Sequence, residues 1–121
     1  MAFQYVLVVG SRSITDKNKI FETLDKFCDE NSVIVSGGAR GVDSIAENYA
    51  DSRGLKKVIM PADWNTYGKR AGYVRNEEMH RYIAKYTNRA CIAFWDGISK
   101  GTAHNFDLAK KYDTFIQVIR L

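Results

Sequence analysis

The chain has 121 residues, 45% of them apolar, with nine glycines, one proline, two cysteines and a formal net charge of +4. That length reads as one domain able to bury a core without staples, and the composition excludes collagen-like and low-complexity chains. The mild basicity suits an anionic ligand and falls short of the charge density of a dedicated duplex-DNA binder.

Tyr5 to Val9 is a continuous apolar run, as a strand buried on both faces should be, and it empties into Gly10-Ser11-Arg12. Lys17 to Glu30 places Ile20, Leu24, Phe27 and Cys28 on one helical face, with Thr15 or Asp16 as cap and Asn31 as a left-handed terminator. Ser32 to Ser36 is the second strand, and it leads into Gly37-Gly38-Ala39-Arg40-Gly41-Val42-Asp43. Val42, Ile45, Ala46, Tyr49 and Ala50 mark a second helix, with Gly54 after its end. Lys57 to Met60 is a short third strand stopped by Pro61. Ala62 to Lys69 is irregular and carries Trp64 and Tyr67. A third helix spans Arg70 to Tyr86, with Met79, Tyr82, Ile83 and Tyr86 inward. Ala90 to Trp95 is the fourth strand, and Asp96-Gly97-Ile98-Ser99-Lys100-Gly101-Thr102 follows it. Thr102 to Tyr112 is a weakly amphipathic fourth helix, and Thr114 to Ile119 is the last strand.

Five strands alternating with four helices imply an α/β fold, a doubly wound sheet of five parallel strands with helices on both faces. Ligands of such sheets sit at the carboxyl ends of the strands, where the strand order reverses. The order 3-2-1-4-5 brings the three glycine loops to one crevice, whereas 2-1-3-4-5 separates the first and fourth strands.

A glycine loop between strand and helix lets backbone N–H groups close around an anion at the helix N-terminus. The glycines of the second loop permit positive φ and close approach of a ligand. Asp43, in the first turn of the following helix, either holds loop N–H groups or binds a ribose hydroxyl. The third loop offers two glycines, two hydroxyls and a lysine, which make a phosphate nest or a tight turn with a cap. Neither loop matches G-x-G-x-x-G or the Walker A spacing. Arg12 can act as a forked phosphate donor. Arg70, Arg75 and Asn76 open the third helix, where arginines oppose the helix dipole and so point to a ligand or partner. Trp64 and Tyr67 either stack on a base or plug the core under their loop.

Cys28 and Cys91 lack neighbours at metal-ligand spacing and read as reduced core residues, and His80 and His104 are isolated, so no metal site is expected. Neither a signal peptide nor an apolar run near the ~20 residues of a membrane span is visible. A soluble, cytoplasmic protein with no membrane partner is the expectation.

Ser36-Gly37-Gly38-Ala39-Arg40-Gly41-Val42-Asp43 is similar to the Ser-Gly-x-Ala-Arg-Gly-Ile-Asp signature of the Smf/DprA proteins. Gly101-Thr102 after a fourth strand resembles the Gly-x-Gly-Thr segment of the Lonely Guy (LOG) phosphoribohydrolases. Taken with Gly10-Ser11-Arg12 and Arg75-Asn76-Glu77-Glu78-Met79, the whole chain resembles the small YspA/YpsA-like branch of the SLOG superfamily. The resemblance implies a Rossmann-like fold that binds a nucleotide or a nucleotide-derived, ADP-ribose-like ligand, often as a homodimer. LOG enzymes carry an Arg early in the helix before the fourth strand, which Arg75 matches, and a Glu three residues after the Gly-Thr, where this chain has Asn105. Asn cannot serve as a carboxylate base or stabilise an oxocarbenium-like centre by charge. The expectation is therefore a binding module, a sensor or sequestering protein without a cofactor. One alternative is a nucleotide N-glycosidase in which Arg75 acts with Asp43, Glu77, Glu78 or Asp96. The other is a binder of single-stranded nucleic acid.

Overall fold

The structure, a computed structural model, describes residues 2–121. Its strands are β1 (Tyr5–Gly10), β2 (Val33–Ser36), β3 (Lys56–Ile59), β4 (Arg89–Trp95) and β5 (Phe115–Arg120). They form one parallel sheet in the order β3-β2-β1-β4-β5, the order that the convergence of the glycine loops demands. The helices are α1 (Lys17–Asp25), α2 (Val42–Arg53), the single turn α3 (Trp64–Tyr67), α4 (Ala71–Ile83) and α5 (Lys100–Lys111). The fold is Rossmann-like.

Side chains alternate faces along each strand, so β1 feeds two cores at once. Val6 and Val8 pack with Ile34, Ile92 and Phe94 of the sheet and with Ile20 and Leu24 of α1 and Ala46 and Tyr49 of α2. Leu7 and Val9 face the other way, joining Val35, Cys91 and Ala93 under Met79 and Ile83 of α4, with Phe106 of α5 alongside. Each fully buried aliphatic side chain contributes roughly 1.5–3 kcal/mol. The edge strands are only partly covered on both faces, so no residue of β3 or β5 is fully buried, and Lys56, Lys57, Phe115 and Val118 are exposed.

Three segments differ from the sequence expectation. Helix α1 ends at Asp25 rather than Glu30, and Asn31 is not left-handed; among the described non-glycine residues only Asp113 has positive φ. Local side-chain bonds win over helix continuation here. Ser32 Oγ accepts the Asp29 N–H and donates to the Phe3 carbonyl, and Asp29 Oδ1 accepts the Asn31 N–H. Phe27, leaving the helix, stacks with Phe3 instead. The segment expected to be irregular contains the turn α3, capped by Asp63 through the Thr66 N–H, and a 3-10 turn over Gly68–Arg70. The long helix starts only at Ala71 and stops at Ile83, three residues before Tyr86.

Both cysteines are free, and burial raises both thiols well above their ordinary range. Among the described residues, no helix is long and apolar enough to cross a membrane, and no group of three or more His, Cys, Asp and Glu could hold a metal ion.

Candidate functional site

Strand order reverses between β1 and β4, and a crevice of about 490 Å³ opens above their carboxyl ends. The end of β1 contributes Gly10, Ser11 and Arg12, and the β2–α2 loop contributes Ala39 and Asp43. Trp64, Tyr73, Arg75 and Asn76 come from α3 and α4, and Asp96, Ser99, Gly101 and Thr102 from the β4–α5 loop and the start of α5.

A chain of hydrogen bonds runs from one glycine loop to the other through α4. Arg75 Nη1 donates to the Gly37 carbonyl at 2.6 Å, Arg75 Nε to Asn76 Oδ1 at 3.1 Å, and Asn76 Nδ2 to the Gly101 carbonyl at 3.3 Å. A Cβ at residue 37 would occupy the space of the Arg75 guanidinium, so a side chain there displaces that group from its place against the loop. Gly41 caps α2 with φ +77°, and a Cβ there would lie 2.6 Å from the Arg12 carbonyl oxygen. The first loop joins the third through Ser11, whose Oγ accepts the Asp96 N–H at 3.2 Å and lies 3.5 Å from Thr102 Oγ1.

The charge on this floor is unbalanced. The ion pairs among the described residues are Arg53–Asp25, Lys57–Asp51 and Lys111–Glu77, so Arg12, Arg40 and Arg75 meet no carboxylate within 4 Å. Arg75 is half-buried, and desolvation lowers its pKa despite the attraction of Asp43. A desolvated cation without a partner is unfavourable, and an anion entering the crevice relieves it.

Two carboxyl groups border the crevice, with pKa values shifted in opposite directions. Asp96 accepts the Ile98 and Ser99 N–H groups through Oδ1 and the Ser13 hydroxyl through Oδ2, and the backbone bonds hold it below the usual carboxylate range. Asp43 is only 8% exposed and accepts the Ala39 N–H through Oδ2 at 3.1 Å. Burial pushes its pKa up to about 6, against the pull of that bond and of Arg75 and Arg12.

The sequence reading missed His80. It is fully buried on α4, and its Nε2 lies 3.0 Å from Asn105 Oδ1. Asn105 Nδ2 donates to the carbonyls of Gly101 and Thr102, so Oδ1 is the acceptor and His80 donates to it. Burial depresses the imidazole pKa to about 4, which keeps the ring neutral, and its Nδ1 is buried without a partner. Asn105 thus borders the crevice with both ends of its amide committed to the protein. The available signal was spacing: Asn76, His80 and Ile83 recur every three or four residues on the buried stripe of α4.

Other expected residues lie elsewhere. Glu77 is held by Lys111 Nζ at 2.9 Å and by the Tyr112 hydroxyl. Glu77, Glu78, Arg70 and Tyr67 border a separate groove outside α4. The cause is helical rotation of about 100° per residue, which turns positions 77 and 78 away from the side that carries 75, 76 and 79. The alternative that runs through Glu77 or Glu78 thus has its carboxylates outside the crevice lining. Arg40, Gly37 and Gly38 line an adjoining depression of about 430 Å³ that shares Arg12, Ala39, Trp64 and Arg75 with the crevice. Gly41, Gly97 and Lys100 line neither cavity: Gly41 backs onto Arg12, Gly97 lies under the Arg120 side chain, and Lys100 is exposed.

Known proteins resemble this chain in sequence or in fold. Gene 61 protein of Mycobacterium phage D29 is 36% identical over 114 residues, which cover 88% of each chain. DNA processing protein A (DprA) from Streptococcus pneumoniae superposes with a TM-score of 0.66 at 20% identity over 98% of this chain. The match covers 51% of DprA, so this chain spans about half of its length. The C-terminal domain of a hydrogenase from Pyrococcus furiosus superposes with a TM-score of 0.55 at 12% identity, covering 98% of this chain and 92% of that one. Residues 4–67, more than half of the sequence, match the family described as YspA, cpYpsA-related SLOG, and the chain belongs to that family.

Proposed function

We propose that the crevice binds a nucleotide-derived ligand by its phosphate, and that binding rather than turnover is the activity, as in a sensor or a sequestering protein. The observation that carries this reading is the chain from Gly37 through Arg75 and Asn76 to Gly101, which fixes an unpaired guanidinium between two glycine loops. In this arrangement the N-terminal turn of α5 at Gly101-Thr102 receives the phosphate, with Arg12 and Arg75 supplying charge. Trp64 and Tyr73, 52% and 47% exposed at the same crevice, offer faces for the base.

Of the two carboxyl groups at the crevice, Asp43 is the one that keeps an oxygen free of protein donors for any turnover. Asp96 is held ionised by its three donors, and the Asn105 amide is committed. The test is calorimetry with a panel of nucleoside monophosphates and ADP-ribose, followed by chromatography for free base. Binding without base release is expected. Because a charge-assisted contact contributes roughly 1.5–3 kcal/mol, Arg75→Ala and Arg12→Ala should each weaken binding at least tenfold. Equal affinity in both variants would remove the phosphate site. Base release that disappears in Arg75→Ala would make the protein an enzyme. Tighter binding of a single-stranded oligonucleotide than of every mononucleotide would make the ligand a nucleic acid.

A further inference from the structure

We infer that Asp43 reads a sugar hydroxyl of the bound nucleotide, which makes the ligand class ribonucleotides rather than their deoxy counterparts; the inference rests on the nucleotide reading above. Two carboxyl groups border the crevice, and their oxygens are differently engaged. Both Asp96 oxygens accept protein donors. In Asp43 only Oδ2 does, from the Ala39 N–H, while Oδ1 has no protein donor. Nor is Oδ1 sealed in the interior, since the one buried side-chain polar atom without a partner among the described residues is His80 Nδ1. Asp43 therefore presents an unused acceptor to the cavity from a largely desolvated position, where a hydrogen bond is strong and its absence unfavourable.

The chemistry of the missing donor is constrained. A phosphate monoester is mostly doubly ionised near neutral pH and is repelled by a carboxylate, so it sits at the guanidinium and N–H donors instead. The groups acting on Asp43 are Arg75 from α4, Arg12 from the end of β1, Glu47 from α2 and the Ala39 N–H of its own loop. With the phosphate drawn to those two arginines, the next part of a nucleotide is its sugar, and a sugar hydroxyl is a neutral donor of the right kind. A nucleobase amine is the competing donor, but the exposed aromatic faces of Trp64 and Tyr73 mark another part of the wall for the base.

The experiment is calorimetry on the full chain with AMP, 2′-deoxy-AMP, 3′-deoxy-AMP and inosine monophosphate. At pH 7.5 one of the two deoxy compounds should bind at least tenfold more weakly than AMP, and inosine monophosphate within threefold of it. In Asp43→Asn, which keeps an oxygen for the Ala39 N–H, the ribose preference should fall below threefold. The parent gives a second readout that needs no variant. The AMP to deoxy-AMP affinity ratio cancels the titration of the phosphate itself, and it should grow between pH 5 and pH 7.5 as Asp43 ionises around 6. Equal binding of AMP and both deoxy compounds overturns the inference and leaves the nucleotide reading standing. Weak binding of inosine monophosphate alone transfers the role to the base amine and also overturns it. Binding of none of the four overturns the nucleotide reading, and this inference with it.

Discussion

The β2–α2 and β4–α5 loops are built from the same parts and behave oppositely. Each leaves the carboxyl end of a strand, carries glycines and an aspartate, and enters a helix. In the β4–α5 loop the aspartate comes first and reaches forward to the Ile98 and Ser99 N–H groups, so its charge is satisfied at a half-buried position. In the β2–α2 loop the aspartate comes last, inside the first turn of α2, and reaches back to a single N–H while buried. The first arrangement is a neutralised cradle. The second is a wall with a titratable group beside guanidiniums that have no ion-pair partner. The order of residues along the loop, rather than its composition, separates an aspartate whose oxygens are both engaged from one that keeps an oxygen free.

The largest expected difference between the loops is in stability. Gly41→Ala forces a side chain onto φ +77° and a Cβ to within 2.6 Å of the Arg12 carbonyl. Strain and backbone displacement together should destabilise the chain by about 3 kcal/mol. Gly101 sits in the first turn of α5 with nothing within 4 Å of its would-be Cβ. Gly101→Ala should be neutral or stabilising by up to about 1 kcal/mol. Urea unfolding of the two variants reads both numbers, and similar midpoints would mean that the two loops are equally tight.

The pH dependence separates the two aspartates by sign. The folded Asp43 pKa of about 6 lies above its unfolded value, so between about pH 4 and 6 the folded state holds the proton more tightly. Stability from this group is full below that window and lost as pH rises through it. Relative to the parent, Asp43→Asn should gain about 2–3 kcal/mol between pH 4 and pH 7. Asp96 is depressed, so its contribution is present at neutral pH and lost as pH falls. Asp96→Asn should thus be less stable than the parent at pH 7 and approach it in acid. His80, depressed to about 4, acts against Asp43 over the same window, which is why the readout is the difference between variant and parent. Parallel curves for the two variants would remove the contrast.

Most of the architecture was legible because it depends on periodicity. The apolar runs of β1 and β4 have both faces dry, and the strand order follows from where the glycine loops must meet. Arg12, Asp43, Arg75, Asn76 and Gly101 were legible as neighbours around one crevice, because the strand order brings the segments that carry them to the same end of the sheet. What escaped was rotation and reach. Glu77 and Asn76 are adjacent in sequence, yet α4 turns one outward to Lys111 and the other onto the Gly101 carbonyl. His80 and Asn105 are 25 residues apart and pair only because α4 and α5 pack side by side. The early end of α1 was hidden as well, since it rests on Ser32 reaching the Phe3 carbonyl, 29 positions away.

The smallest effect belongs to the residue that local sequence context recommends most. Glu77 stands beside Arg75 and Asn76, but its carboxylate is turned to Lys111 and Tyr112 on the outer side of α4. Both of those partners lie outside the crevice lining, and Lys111 is exposed. Glu77→Gln should therefore change the affinity for AMP by less than twofold. The variant keeps an oxygen that can accept from Tyr112 and loses only the ion pair, and a surface ion pair contributes about 0–1 kcal/mol. Asn76→Ala, one position away, cuts the link between Arg75 and Gly101 and should weaken AMP binding at least fivefold. It frees the charged Arg75 Nε and removes the neutral donor to the Gly101 carbonyl, bonds that contribute roughly 1.5–3 and about 1 kcal/mol. Calorimetry on this pair of neighbours tests the helical phase itself. A loss in Glu77→Gln equal to that in Asn76→Ala would mean that both faces of α4 serve the ligand, and that the crevice extends around the helix.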